Sequence, residues 1–319
     1  MTCLLSVHKL PTRNNEQPGL IVTMWEPVTL PFTSDAARSL PTADEIRSCT
    51  HILRERPAGT SKVVAVNHDI VVKFGSGVHV REGQTLVYLE RFLPNVPAPR
   101  LHAMYRDSED LFLLMERVPG KQLDTMWPSL NESDKDAITN KLCNIFEAMR
   151  QAECPWPDFF GGLDGSGVHH YLLYSQKKGD RKFLGPFYGE ADFVTGLTNN
   201  LRALRERNHR PDFKARHYEA HLRNVLQGFR PTLTHSDLDK TNIMVAETSS
   251  GGEERDFEVM LVDWELAGWY PDFWEFFCTS STFDYVYWEE DWCWRTEQFL
   301  QVWPAKTAMM RMLDKDMRI

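Results

Sequence analysis

The chain lacks any apolar run approaching the roughly 20 residues of a membrane-spanning helix, so no membrane partner is expected. Its first ten residues hold only a short apolar stretch without a basic leader, which does not read as a secretory signal. The expected address is therefore cytoplasmic. The six cysteines, at positions 3, 49, 143, 154, 278 and 293, show no paired short spacing. That excludes a zinc ribbon or a disulfide frame and leaves reduced, mostly core thiols. Basic charge is also short: 36 Lys and Arg stand against 45 Asp and Glu, a formal net charge of −9. Such a balance disfavours non-specific nucleic-acid binding, and no nucleic-acid partner is expected. There is no internal repeat and no low-complexity tract.

What is present is an ordinary globular composition, 42% hydrophobic and 25% charged over 319 residues, enough for about two domains or lobes. Residues 1–40 carry several prolines and no periodicity, and read as a loosely packed extension. Thr42 and Glu45 form a capping-box pattern that opens a short helix through Ile46, Cys49 and Leu53. Residues 63–66 and 70–74, joined by Asn67, His68 and Asp69, read as a β-hairpin. Residues 82–93 are helical, with Leu86, Leu89 and Leu93 on one face. Residues 94–99 are a proline-rich connector, and 111–116 a further strand. Residues 131–151 form a helix whose buried stripe is Ile138, Leu142, Ile145, Phe146 and Met149.

Two short stretches carry chemistry. His235, Ser236 and Asp237 are followed, five residues after the aspartate, by Asn242, which leads into the apolar run 243–246. A second apolar run, 257–262, ends at Asp263. The polar, glycine-bearing residues 247–256 read as an exposed hairpin loop. Antiparallel pairing of the two runs sets Asn242 beside Asp263. Phosphoryl transfer needs a carboxylate to orient the attacking hydroxyl and hard oxygen ligands for Mg²⁺. Asp237 fits the first role; Asn242 and Asp263 fit the second. His235 reads as a hydrogen-bonding group that holds the loop. An aspartate near its ordinary pKa of ~3.9 is ionised at neutral pH, so no large shift is expected of Asp237.

These residues resemble the aminoglycoside phosphotransferase-like family of the protein-kinase-like superfold, whose catalytic loop reads His-Gly-Asp-x-x-x-x-Asn. The run Asp263-Trp264-Glu265-Leu266-Ala267-Gly268-Trp269-Tyr270-Pro271-Asp272-Phe273-Trp274-Glu275 is similar to the family's metal-binding segment, above all in its fungal members. Protein kinases carry Asp-Phe-Gly there and a basic residue before the catalytic Asp. Both are missing. The resemblance covers roughly residues 42–300, and its last third is strongest in motif.

The resemblance implies an α+β, two-lobed fold. A nucleotide-binding lobe over 41–116 has a small antiparallel sheet, and a larger, mainly helical lobe spans 117–319. It implies ATP as cofactor, with GTP not excluded, together with Mg²⁺, and a small-molecule hydroxyl acceptor that an acidic surface would suit if cationic. Lys73, inside an apolar strand, needs a counter-charge. Glu82 would supply it while Lys73 holds the α- and β-phosphates. Backbone groups of Glu116 and Val118 would meet the adenine, and Met115 would line the back of the pocket. Leu123 and Trp127 continue the family pattern. Residues 185–193 resemble the lead into a substrate-side helix.

Two departures stand out. Ser236 replaces the family's glycine, and residues 57–61 offer a single glycine for covering phosphates. They keep open a catalytically silent, nucleotide-binding protein that acts through partners. A choline- or ethanolamine-type kinase is a further alternative. Seven of the ten tryptophans lie between 264 and 303, beside Asp272, Glu275, Asp284, Glu289, Glu290 and Asp291. Such a wall would hold an ammonium by cation–π attraction, or else form helix-packing core with a solvated acidic face. Neither the acceptor nor the oligomeric state is legible in the sequence.

Overall fold

The computed structural model describes residues 25–35, 39–56, 59–173, 181–248, 255–286 and 290–318. The amino-terminal lobe is built on a six-stranded antiparallel sheet. Its strands are β1 (Phe32–Thr33), β2 (Ile52–Glu55), β3 (Lys62–Ala65), β4 (Ile70–Gly75), β5 (Leu101–Asp107) and β6 (Asp110–Glu116), in the order β1-β5-β6-β4-β3-β2. Helix α1 (Ala43–Arg47) covers one face and α2 (Val80–Phe92) the other. Alternation along the strands sorts the side chains. Phe112 and Leu114 pack with Val72, Phe74 and Ile46, whereas Leu111, Leu113 and Met115 join Leu86 and Leu89 in the main core. Lys73 lies between Val72 and Phe74 and therefore points to the α2 side. Gly83 lets α2 lie close: a Cβ there would stand 2.6 Å from the Met104 sulfur.

Three readings change. Residues 25–35 are packed rather than loose. Trp25 is buried with its Nε1 donating to the Leu163 carbonyl, Gln84 bonds both backbone groups of Val28, and β1 pairs with β5. Residues 1–24 lie outside the described residues. Helix α1 keeps the expected Thr42–Glu45 capping box but ends at Arg47. Leu53 sits instead in edge strand β2, because pairing of 52–55 with β3 outweighs the local helical spacing. The strands around the polar loop run further than expected, to Thr248 and from Asp256, while 249–254 lie outside the described residues.

The second lobe opens with β7 (Lys121–Gln122), α3 (Leu123–Met126) and α4 (Glu132–Gln151). A capping box of Asn131 and Asp134 starts α4, whose expected stripe from Ile138 to Met149 is buried. Then come β8 (Phe159–Phe160), α5 (Arg181–Leu184), β9 (Phe187–Tyr188), α6 (Glu190–Arg207) and α7 (Phe213–Val225). Strand β10 (Pro231–Thr234) pairs with β13 (Gly268–Pro271), and β11 (Ile243–Thr248) with both β12 (Asp256–Leu261) and β7. Helices α8 (Trp274–Val286), α9 (Trp292–Phe299) and α10 (Pro304–Met317) complete it. The helices α6, α7, α8 and α10 share a second core around Phe193, Leu197, Leu222 and Phe277. The molecule is thus a two-lobed α+β fold, a small antiparallel sheet beside a mainly helical lobe.

The clustered tryptophans belong to that packing. Trp264, Trp269, Trp274 and Trp292 are fully buried, whereas Trp294 is exposed and Trp288 lies outside the described residues. Glu290 and Asp291 are not a simple solvated face: Glu290 pairs with Lys240, and Asp291 with Lys135 and Arg295.

Candidate active site

The loop from β10 to β11 carries Asp237, and its shape is fixed from three directions. His235 is fully buried; its Nδ1 accepts the Asp237 N–H at 3.3 Å, so Nε2 holds the proton and donates to the Val262 carbonyl at 3.0 Å. Burial pulls its pKa down to about 4, which keeps the ring neutral. The imidazole therefore ties the loop to the residue preceding Asp263, a structural role as expected. Glu275, at the start of α8, accepts the backbone N–H groups of His235 at 2.6 Å and Ser236 at 3.2 Å. Its own burial pushes it up to about 8, against those two bonds. Ser236 adopts a left-handed φ of 68°, a conformation that favours glycine. Its hydroxyl accepts from Trp274 Nε1 at 3.2 Å.

Asn242 joins Asp237 to the cleft. Its Nδ2 donates to the Asp237 carbonyl at 2.8 Å and to Oδ2 at 3.1 Å. The Val262 N–H donates to the Asn242 carbonyl at 2.9 Å, so the β11–β12 hairpin does set Asn242 beside Asp263. Asp263 leaves β12 with a left-handed φ of 64° and turns into the cleft.

There it meets a cluster of opposed charges. Lys73 Nζ lies 2.7 Å from Glu82, 2.6 Å from Asp263 and 2.9 Å from Glu265. Arg54 reaches Asp263 Oδ2 at 3.1 Å, and Arg56 pairs with Glu265. Oxygens of Glu82, Asp263 and Glu265 fall within 4.8 Å of one another. Burial works against the Lys73 charge, but the three carboxylates outweigh it and hold the ammonium well above its usual range. Burial raises Glu82, which shares its lysine with two other carboxylates. For Asp263 burial is outweighed by Lys73 and Arg54, and its pKa is lowered.

A cavity of about 480 Å³ opens over this cluster, lined by Lys73, Glu82, Asn242 and Asp263 at one end and by Met115, Glu116 and Val118 at the other. Val63, Val71, Leu86 and Met244 supply apolar walls. Asp237 is not among the lining residues; it lies one side chain further on, behind Asn242. Burial and the neighbouring Asp263 push its pKa up to about 6, which corrects the expectation of an unshifted aspartate. The charge of Asp263 and the local desolvation are invisible in a linear motif.

The eight expected residues are thus brought to one cleft, seven on the cavity and Asp237 beside it. Sequence reasoning left out four others. Glu265 and Glu275 stood inside the quoted run without a role. Arg54 and Arg56 went unremarked, although a spacing of two in an extended segment places side chains on one face. Of the two readings of the tryptophans between 264 and 303, packing core holds for Trp264, Trp269, Trp274 and Trp292.

The phosphotransferase enzyme family matches residues 53–302, most of the chain. The chain belongs to that family. No curated protein matches it in sequence. Among solved structures, it is similar to a thermostable mutant of the aminoglycoside phosphotransferase APH(4)-Ia in ternary complex with ADP and hygromycin B. Identity there is 14%, over 86% of this chain and 88% of that one, with a TM-score of 0.51. The same enzyme with AMP-PNP and hygromycin B gives 16% identity, coverage of 85% and 86%, and a TM-score of 0.50. At such identity the likeness establishes a common fold, and this member of the phosphotransferase family keeps its two-lobed frame.

Proposed function

We propose that the protein is a small-molecule kinase that transfers the γ-phosphoryl group of ATP to a hydroxyl of its acceptor. Family membership supports the reaction class, and the complexes of APH(4)-Ia with ADP and AMP-PNP support a nucleotide in the equivalent cleft. The cavity fits such a ligand, with apolar walls for a purine at one end and Lys73 at the other. Glu116 would meet the base through its carbonyl, since its N–H already donates to Arg100 at 2.9 Å, and Val118 through its N–H.

The donor set also fits magnesium. Asn242, Asp263 and Glu265 offer only hard oxygens, which suit Mg²⁺ better than a thiophilic metal. A bound magnesium ion would supply charge neutralisation on the phosphates. Lys73, fixed by Glu82, would hold the α- and β-phosphates. Asp237 would orient the acceptor hydroxyl and take its proton late, because the transition state is loose and positioning dominates. GTP in place of ATP is compatible with a backbone-lined base site.

The observation that carries this reading is the Asn242 side chain, which contacts Asp237 at 3.1 Å while lining the cavity with Lys73 and Asp263. That contact supports a carboxylate for the nucleophile next to an oxygen-lined metal position. Calorimetric titration of ATP, with and without Mg²⁺, into wild type and Asp263→Ala tests it. Magnesium-dependent binding that is lost in the variant is expected; folded wild type that binds no nucleotide would end the proposal.

A further inference from the structure

Nucleotide-binding folds of this kind need groups that hold the phosphates, and the stretch between β2 and β3 has little glycine with which to present backbone N–H groups. The β2–β3 connection carries one glycine at position 59, and residues 57–58 lie outside the described residues. Two arginines stand at its start, Arg54 within β2 and Arg56 just beyond it. Arg54 and Arg56 extend from the small-lobe sheet across the cleft onto Asp263 and Glu265 of the other lobe. Both line the cavity.

The six charged groups of the cluster differ in freedom. The side chain of Lys73 is 6% exposed and held by three carboxylates, while Asp263 and Glu265 are 13% and 11% exposed. The side chains of Arg54 and Arg56 are 59% and 37% exposed. The arginines are therefore the solvent-facing partners, able to leave a carboxylate without being drawn out of a dry core.

Charge matching gives the direction of that movement. Glu82, Asp263 and Glu265 are balanced here by Lys73, Arg54 and Arg56. With a divalent cation held by Asp263 and Glu265, those carboxylates would no longer need the two guanidiniums as counter-charges. Mg·ATP carries a net charge of about −2, and a guanidinium's planar fork matches phosphate oxygens in pairs. We propose that Arg54 and Arg56 grip the phosphates of the bound nucleotide in place of a glycine-rich backbone loop. Until then they are parked on Asp263 and Glu265. The inference rests on the nucleotide-binding reading above.

The test is calorimetric titration of Mg·ATP and, separately, of adenosine into wild type, Arg54→Gln with Arg56→Gln, and Arg54→Lys with Arg56→Lys. Thermal melts confirm that each is folded. The glutamine double variant is expected to bind Mg·ATP at least about tenfold more weakly, as for a lost charge-assisted hydrogen bond. Adenosine affinity should stay within about threefold, and the salt dependence of Mg·ATP binding should flatten. The lysine variant, with charge but no fork, should recover part of the loss. Unchanged or tighter Mg·ATP binding by the glutamine variant overturns the proposal, for then the arginines only neutralise Asp263 and Glu265. Equal loss of adenosine and Mg·ATP also overturns it, as a collapse of the pocket. Wild type that binds neither ligand removes the nucleotide reading itself, a result distinct from both.

Discussion

Lys73 Nζ stands 2.6 Å from Asp263 Oδ1, an ion pair that joins the central strand of the small lobe to the hairpin end of the large one. Removing the ammonium leaves Glu82 without a cation and Asp263 and Glu265 with only their arginines, in one buried cluster, which typically costs several kcal/mol. Lys73→Met is therefore expected to destabilise the protein by about 3–5 kcal/mol at pH 8 in urea denaturation. The carboxylates freed of their cation then gain protons readily, so the deficit should shrink on going to pH 5. A deficit equal at both pH values would contradict the shared-cation account.

Asp237 titrates higher in the folded protein, at about 6, than the ordinary 3.8 of an unfolded chain. The folded state thus binds the extra proton between those values, and stability falls as pH rises through that window. Asp237→Asn removes the penalty. It should be more stable than wild type at pH 8, by at most about 3 kcal/mol, and indistinguishable near pH 4. In wild type the same ionisation predicts an acidic limb in kcat/KM with a midpoint near 6, since a protonated Asp237 accepts no proton from a hydroxyl. A profile flat from pH 5 to 8 would exclude Asp237 from that role.

Ser236 holds a left-handed φ of 68° and accepts a bond from Trp274. Ser236→Ala keeps the backbone strain and orphans a buried indole N–H, so it should cost about 1–2 kcal/mol. Ser236→Gly loses the same bond but relieves the strain by about 1 kcal/mol. Glycine should therefore be the more stable of the two variants in thermal melts. The reverse order would show that the hydroxyl, and not the backbone conformation, governs this position.

Glu275 holds two backbone N–H groups of the loop that carries Asp237. Glu275→Gln leaves a single acceptor oxygen for both loop N–H groups, and the Ser236 N–H keeps only its longer 3.4 Å contact. The expected result is a kcat lower by about tenfold with ATP affinity unchanged, since Glu275 does not line the cavity. A fall in nucleotide affinity with kcat intact would place the effect elsewhere.

Much of this was legible because the relevant signals are local. The spacing of Asp237 and Asn242, two apolar runs separated by a polar loop, and Lys73 inside an apolar strand each fit within a short window. The cost of burying an unpaired ammonium called for a partner to Lys73, and the later motifs pointed to Glu82. Contacts between the lobes were less accessible. Arg54 meets Asp263, and Arg56 meets Glu265, across 209 residues of chain, and neither has a local pattern that names its partner. The Asp237 shift depends on burial and on Asp263, both products of the fold. Leu53 was misplaced because helical spacing and an edge strand look alike over so few residues. Trp25 gave no sign that it would anchor the stretch before β1.

The most direct test of phosphoryl transfer is phosphorus NMR of Mg·ATP incubated with pooled hydroxylated metabolites and either wild type or Asp237→Asn. The account predicts new phosphomonoester resonances with wild type and none with the variant, although both bind ATP. Ester formation undiminished in Asp237→Asn, or ATP bound by wild type without ester from any pool, would contradict it.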